Sequence, residues 1–118
     1  MKRGEIWTIA GGADYAGKPP PAVIVQDDSF AATASVTICA FTTDLTEAPL
    51  FRLAIEPTDE NGLREPCRLM VDKLTTVPRE RLGSYVGRLA VEDLVRFHRA
   101  ILVFLGLAGS ARQPTARG

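Results

Sequence analysis

Two cysteines, Cys39 and Cys67, are too few to staple a small domain, and their spacing is not that of zinc ligands. Both lie in apolar runs, which predicts buried free thiols. Net charge is absent, because fourteen Lys and Arg offset fourteen Asp and Glu. That excludes a wholly basic nucleic-acid coat but leaves room for a local basic patch. Long apolar runs are missing too. The most apolar stretch, Ala100 to Ala108, falls short of the roughly 20 residues of a bilayer span, and Met1–Trp7 lacks the apolar core of a signal peptide. No internal repeat is present. What remains is 118 residues, 46% apolar and 24% charged, enough for one core and no second domain. We expect a reduced, cytoplasmic protein without a membrane segment. Residues 1–108 are expected to form its single domain, and 109–118 a disordered tail.

The neutrality is a sum of opposed halves. Residues 27–60 hold seven acidic side chains against one cation, Arg52, for a net charge of −6. Residues 61–90 carry Arg64, Arg68, Lys73, Arg79, Arg81 and Arg88 against three acids, for +3. The basic half reads either as solvated loops or as a surface whose arginines fork onto phosphates.

Six segments have strand chemistry, with turn residues between them: 5–10, 22–26, 35–41, 50–55, 67–71 and 85–89. With no helical segments interposed, they predict antiparallel pairing and a small barrel. Only the C-terminus reads as helix. Val91, Leu94, Val95, His98, Ile101, Leu102 and Leu105 share one face, and Phe97, Val103, Phe104 and Leu107 widen that stripe until the last turns are apolar nearly all round. The helix is expected over about 91–106, with a soft start because Ala90 is a poor N-cap. A helix buried on more than one side, in so small a domain, points to a second subunit. Gly11 to Pro21, with three glycines and three consecutive prolines, is a long loop of the kind that carries function. Asn61-Gly62 marks a turn.

The order of local motifs adds to this. Arg3-Gly4-Glu5-Ile6-Trp7 opens the chain, and Pro21-Ala22-Val23-Ile24-Val25-Gln26 follows the glycine-rich loop. Ile38-Cys39-Ala40-Phe41-Thr42-Thr43, then Leu69 to Val77 with Arg81-Leu82-Gly83, then Val86-Gly87-Arg88-Leu89 complete the series. This succession, from about residue 2 to 107, resembles the MazF/PemK family of toxins from bacterial toxin–antitoxin pairs. The resemblance implies an SH3-like barrel of the CcdB/PemK-like kind with a C-terminal helix, a homodimer, a cognate antitoxin as partner, and metal-independent, cofactor-free cleavage of single-stranded RNA at short sequences. A related group on the same fold attacks DNA gyrase, and a catalytically inactive member holding antitoxin and RNA is a further alternative. The implied chemistry is attack of the ribose 2′-OH on its own phosphate, which needs a base, an acid and donors to the phosphorane.

Carried over residue by residue, the resemblance places the site as follows. The family's characteristic arginine stands just before the proline matched by Pro21; here that position is Pro20, which has no side-chain or backbone donor. Lys18 is the nearest cation, and the expectation is a weakened nuclease. Thr42 matches the Thr or Ser at the end of the third strand, with Thr43 beside it. Asp72 and Lys73 follow the fifth strand, Asp72 as a base and Lys73 as a phosphate contact, or both as a surface ion pair. Met70 stands where some members carry another arginine. Tyr15 is as open to stacking on a base as to plain exposure. Trp7 reads as core. His98 is the only histidine and so the obvious general acid–base candidate by chemistry alone, but it falls in the helix stripe and reads as a packing or interface residue.

Overall fold

The computed structural model describes residues 1–10, 19–44, 46 and 51–107. The expected tail at 109–118 and most of the glycine–proline loop lie outside them. Seven strands and one helix follow in order: β1 (Glu5–Ile9), β2 (Pro21–Ile24), β3 (Ser35–Thr42), β4 (Arg52–Ile55), β5 (Cys67–Met70), β6 (Thr75–Pro78), β7 (Leu82–Arg88) and α1 (Val91–Phe104). Single 3-10 turns at Asp28–Phe30, Val71–Lys73 and Arg79–Arg81 link them. All strand pairs are antiparallel. The sheet runs β4-β5-β3-β2-β1-β7, with β6 also on β3, and curls into a half-barrel.

Two expectations need correction. Strand β6 is an addition: Thr75-Thr76-Val77-Pro78 is short and buries only Val77, which left it without a hydrophobic pattern. Strand β7 starts at Leu82 rather than Tyr85. Gly83 looks like a turn residue, but a Cβ there would stand 2.4 Å from Thr8 Oγ1. Glycine lets β7 lie close on β1, and Ser84 N–H donates to that same hydroxyl at 2.8 Å.

Alternation along the strands builds two apolar clusters, one on each sheet face. Ile6, Val23, Cys39, Phe41, Ile55, Leu69 and Val71 form the first and receive Phe97 of the helix, with Leu94, Ala100 and Ile101 beside it. Ile9, Ala22, Ile24, Val36, Ile38 and Val77 form the second, flanked by Trp7 and Leu82. Both thiols are free and buried, as expected, and burial pushes the Cys39 thiol up to about 12.

Helix α1 starts without a side-chain cap on Ala90, as its sequence suggested, and carries Glu92 and Asp93 in its first turn. It lies against β4 and the turn after β5, and Arg96 Nη1 donates to the Ala54 carbonyl at 3.2 Å. Its last turns project beyond the sheet, leaving Leu102, Val103, Phe104, Leu105 and Leu107 exposed.

Two polar devices fix the loops. Arg79 donates from Nε to the Thr33 carbonyl at 2.8 Å and from Nη2 to the Ala31 and Thr33 carbonyls, so this arginine anchors the turn before β3. Asn61, the one buried polar side chain among the described residues, holds together the turn from Glu56 to Leu63.

Candidate functional site

The cross-strand register gathers Pro20, Thr42 and Arg68 at one end of the sheet. Thr42, the last residue of β3, pairs with Arg68 on β5, and Arg68 pairs with Ala54 on β4. The β2–β3 register Ala22↔Ala40, continued by two residues, brings Pro20 level with Thr42 on the other side. Pro20 is held there by its carbonyl, which accepts the Ile9 N–H at 2.9 Å. Thr42 Oγ1 accepts the Asp44 N–H at 3.1 Å, so the hydroxyl keeps its own proton to donate. By alternation Arg52, Arg68 and Thr42 share the sheet face opposite the one that packs on the helix.

Next to this row stands the best-formed ion pair of the described residues. Arg52 Nε donates to Asp72 Oδ1 at 2.8 Å and Nη2 donates to Oδ2 at 3.2 Å. The pair is half-buried, with about a fifth of each side chain exposed. The Arg52 hydrogen bonds hold the Asp72 carboxyl below the usual carboxylate range, with Lys73 adding a smaller pull. The same bonds raise the Arg52 guanidinium above its ordinary value. The Phe51 ring lies 5.8 Å from the Arg52 guanidinium carbon and 6.5 Å from the Phe104 ring, bracing the cation from the helix side. The Asp44 carboxyl is also lowered, first by the Thr46 hydroxyl and amide and further by Arg52 and Arg68. Both cations therefore reach the loop that Thr42 begins.

The sign of the Asp72 shift gives a pH prediction. Its folded-state pKa is depressed, so the stabilisation is complete above the unfolded value and is lost as pH falls through the folded one. Asp72→Asn is expected to melt earlier than the parent chain at neutral pH, and the two curves are expected to converge in acid below the ordinary carboxylate range. Urea melts of both proteins across pH check this.

Comparison with known proteins settles the lineage. The sequence profile of the PemK-like, MazF-like toxins of type II toxin–antitoxin systems matches residues 2–105. The chain belongs to this family. It is 58% identical over 109 residues to a probable endoribonuclease MazF of Mycolicibacterium smegmatis, covering 92% of this chain and 100% of the relative. Among solved structures, a mycobacterial endoribonuclease in complex with its cognate antitoxin superposes with a TM-score of 0.76 at 23% identity, covering 97% of this chain and 99% of the other. A MazE–MazF structure from Deinococcus radiodurans gives 0.70 at 15% identity, over 92% and 98% of the two chains. At those identities the structures speak for the fold, and it is the MazF fold.

Within this PemK/MazF chain, Pro20, Thr42 and Thr43 lie at one end of the β2–β3 pair, level with the start of β5, whereas Asp72 and Lys73 follow the other end of β5, toward Cys39; Thr43 and Lys73 are exposed. Lys18 and Tyr15 lie outside the described residues. His98 is elsewhere: half-buried on α1, its ring 6.2 Å from that of Phe97, with Nε2 buried and without a partner among the described residues. Burial lowers its pKa, with Arg3 adding to the effect. Trp7 packs on the second cluster, edge-on to Tyr85 at 5.9 Å, and donates to Glu5 Oε1 at 3.0 Å. Arg52 is the residue that sequence reasoning passed over. It counted only as the lone cation of an acidic segment, and nothing local to it points to Asp72 twenty positions on. Among the described residues no three His, Cys, Asp or Glu side chains come together as a metal site, and no helix is long and apolar enough to cross a membrane.

Proposed function

We propose that this MazF-family chain is a cytoplasmic endoribonuclease toxin that cuts single-stranded RNA at short sequences and is held in check by a cognate antitoxin. The observation that carries this reading is the row Arg68–Thr42–Pro20, with Arg52 on the same sheet face two residues along: a hydroxyl donor and two arginines on one face of a MazF fold. In the reaction, the 2′-oxygen attacks the adjacent phosphorus and the bond to the 5′-oxygen breaks. The proton lost by the 2′-hydroxyl is balanced by the one gained at the 5′-oxygen. The products are a 2′,3′-cyclic phosphate and a 5′-hydroxyl, and no water is consumed. Thr42 donates to a non-bridging oxygen, and nearby cations stabilise the charge that builds on the phosphorane. With proline at position 20 in place of the family arginine, the rate is lower than in a chain that has both.

The experiment is cleavage of a long unstructured RNA in excess EDTA. Discrete fragments ending in cyclic phosphate are expected, and RNA affinity is expected to fall with salt at a log–log slope of about 0.7 per phosphate neutralised. Intact RNA together with inhibition of gyrase supercoiling would transfer the chain to the gyrase-directed group. Intact RNA with antitoxin still bound would leave the inactive binding module.

The exposed apolar end of α1 supports a homodimer. Leu105 is 51% exposed and Leu107 71%, and Phe104 lies with them. Large apolar side chains grouped in this way mark an interface. Sedimentation equilibrium at micromolar concentration is expected to give twice the chain mass of 12.8 kDa.

A further inference from the structure

We propose that the Arg52 guanidinium, gripped from behind by Asp72, is the cation that contacts the scissile phosphate. The proposal rests on the ribonuclease reading above and names the group that carries its electrostatics.

Guanidinium offers five N–H donors in a rigid plane. Asp72 takes one from Nε and one from Nη2, side-on, through both carboxylate oxygens. That leaves three, the two on Nη1 and the second on Nη2, directed away from the carboxylate. Among the described residues none accepts from Nη1, and about a fifth of the side chain is exposed. The guanidinium plane is therefore fixed on one edge and open on the other, the arrangement that recognises a phosphate through two parallel hydrogen bonds. Phe51 stands against it, limiting rotamer freedom. A donor held in place before the charge develops needs no reorganisation when it does.

The location agrees. Arg52 shares a sheet face with Thr42 and Arg68, and its charge reaches Asp44, whose amide holds the Thr42 hydroxyl. Arg52 stands two strands across and two residues along from Thr42, so an RNA strand lying diagonally over this face meets the Thr42 hydroxyl on one side and the guanidinium on the other. Asp72 then has a different role from the general base that its place after β5 suggests. Both its oxygens are committed to Arg52, and a carboxylate so engaged is a weak proton acceptor. It is a positioning residue, acting through the arginine.

The test is single-turnover RNA cleavage by the full chain, read beside affinity for the same oligonucleotide carrying a 2′-deoxy block at the cleavage point. Arg52→Ala is expected to slow cleavage about 10²–10³-fold, with a much smaller loss of affinity. Added guanidinium ion is expected to restore part of that rate and to leave the parent chain unaffected. Arg52→Lys keeps the charge and an ion pair with Asp72. It is expected to melt close to the parent and still cut slowly, so a folding defect in the alanine variant does not decide the matter. Asp72→Asn is expected to slow cleavage when Arg52 is present and to add nothing in the Arg52→Ala background. Parent-like cutting by both Arg52 variants overturns the proposal and leaves the ribonuclease reading standing. So does a loss of affinity as large as the loss of rate, because uniform binding is not transition-state contact. A parent chain that cuts no RNA overturns the ribonuclease reading, and this proposal with it.

Discussion

Putting arginine at position 20 is expected to raise the single-turnover rate of RNA cleavage by at least about tenfold, with little change in RNA affinity. Position 20 sits level with Thr42, on the side of β3 away from Arg68 and Arg52. A guanidinium there meets a phosphate at Thr42 from the β2 side of β3. Removing one donor from such a site costs about 10²–10³ in rate, or roughly 3–4 kcal/mol. The gain from supplying one is smaller, because other cations already share the charge. The backbone tolerates the change: Pro20 is only half-buried, and its contact with Ile9 is made by its carbonyl, which arginine also has. Lys18→Ala is the companion measurement. If Pro20→Arg cuts no faster than a brisk parent chain while Lys18→Ala is crippled, Lys18 is the cation on that side and the assignment of position 20 fails.

Asn61→Ala is expected to cost roughly 2–3 kcal/mol of folding stability, from three part-buried hydrogen bonds at about 0.5–1.5 kcal/mol each. The Asn61 carbonyl oxygen accepts the N–H groups of Thr58 and Leu63, each at 2.9 Å, and its amide donates to the Glu56 carbonyl at 2.8 Å. Its own N–H goes to Thr58 Oγ1 at 3.0 Å. Alanine leaves two part-buried donors and an acceptor without their partner at once. The loop so tied presses directly on β7, where a Cβ at Gly87 would lie 2.4 Å from the Asn61 backbone oxygen and 2.5 Å from that of Glu60. Gly87→Ala is therefore expected to be as damaging as Asn61→Ala, through steric conflict rather than lost hydrogen bonds. For a domain whose whole stability is of order 5–15 kcal/mol, either change removes a large share. Urea unfolding of the two variants and of Asn61→Asp, which keeps the accepting oxygen, separates the contributions. Wild-type midpoints in Asn61→Ala would mean that water satisfies the loop.

Legibility in the sequence followed the range of the interaction. Helix α1 announced itself through contacts three and four residues apart, and its observed end at Phe104 lies two residues from the expected one. Strand β3 was plain because Val36 and Ile38 alternate with polar Thr37. The Asn61-Gly62 turn was plain too, and Gly62 has φ +70°, yet nothing in the dipeptide says that the asparagine is the most enclosed polar group described. Strand β6 escaped because it is held by β3 through Val36↔Val77 and a Thr37–Thr76 hydroxyl contact of 2.9 Å, partners about forty positions away. The candidate site divides in the same way. Thr42 could be placed from the strand that ends on it. The Arg52–Asp72 pair depends on the register Arg52↔Met70, which in turn depends on how the whole 56–66 connection folds back.

The position of β1 in the sheet has a consequence for the order of assembly. The first strand made is an interior one: β2 lies on one side of it, and on the other lies β7, with Glu5 opposite Arg88. During synthesis β1 must therefore wait, half-paired, while some eighty residues emerge. Closing so long a loop is entropically slow, and pairings between such distant segments fold on the millisecond-to-second scale rather than in microseconds. The helix that covers the main cluster follows directly after β7, with Leu89 N–H donating to the Gly4 carbonyl. A ribosome-bound chain thus keeps an incomplete sheet and an uncovered core until β7 and α1 have been made. The interval before a newly made chain completes its fold is written into its strand order.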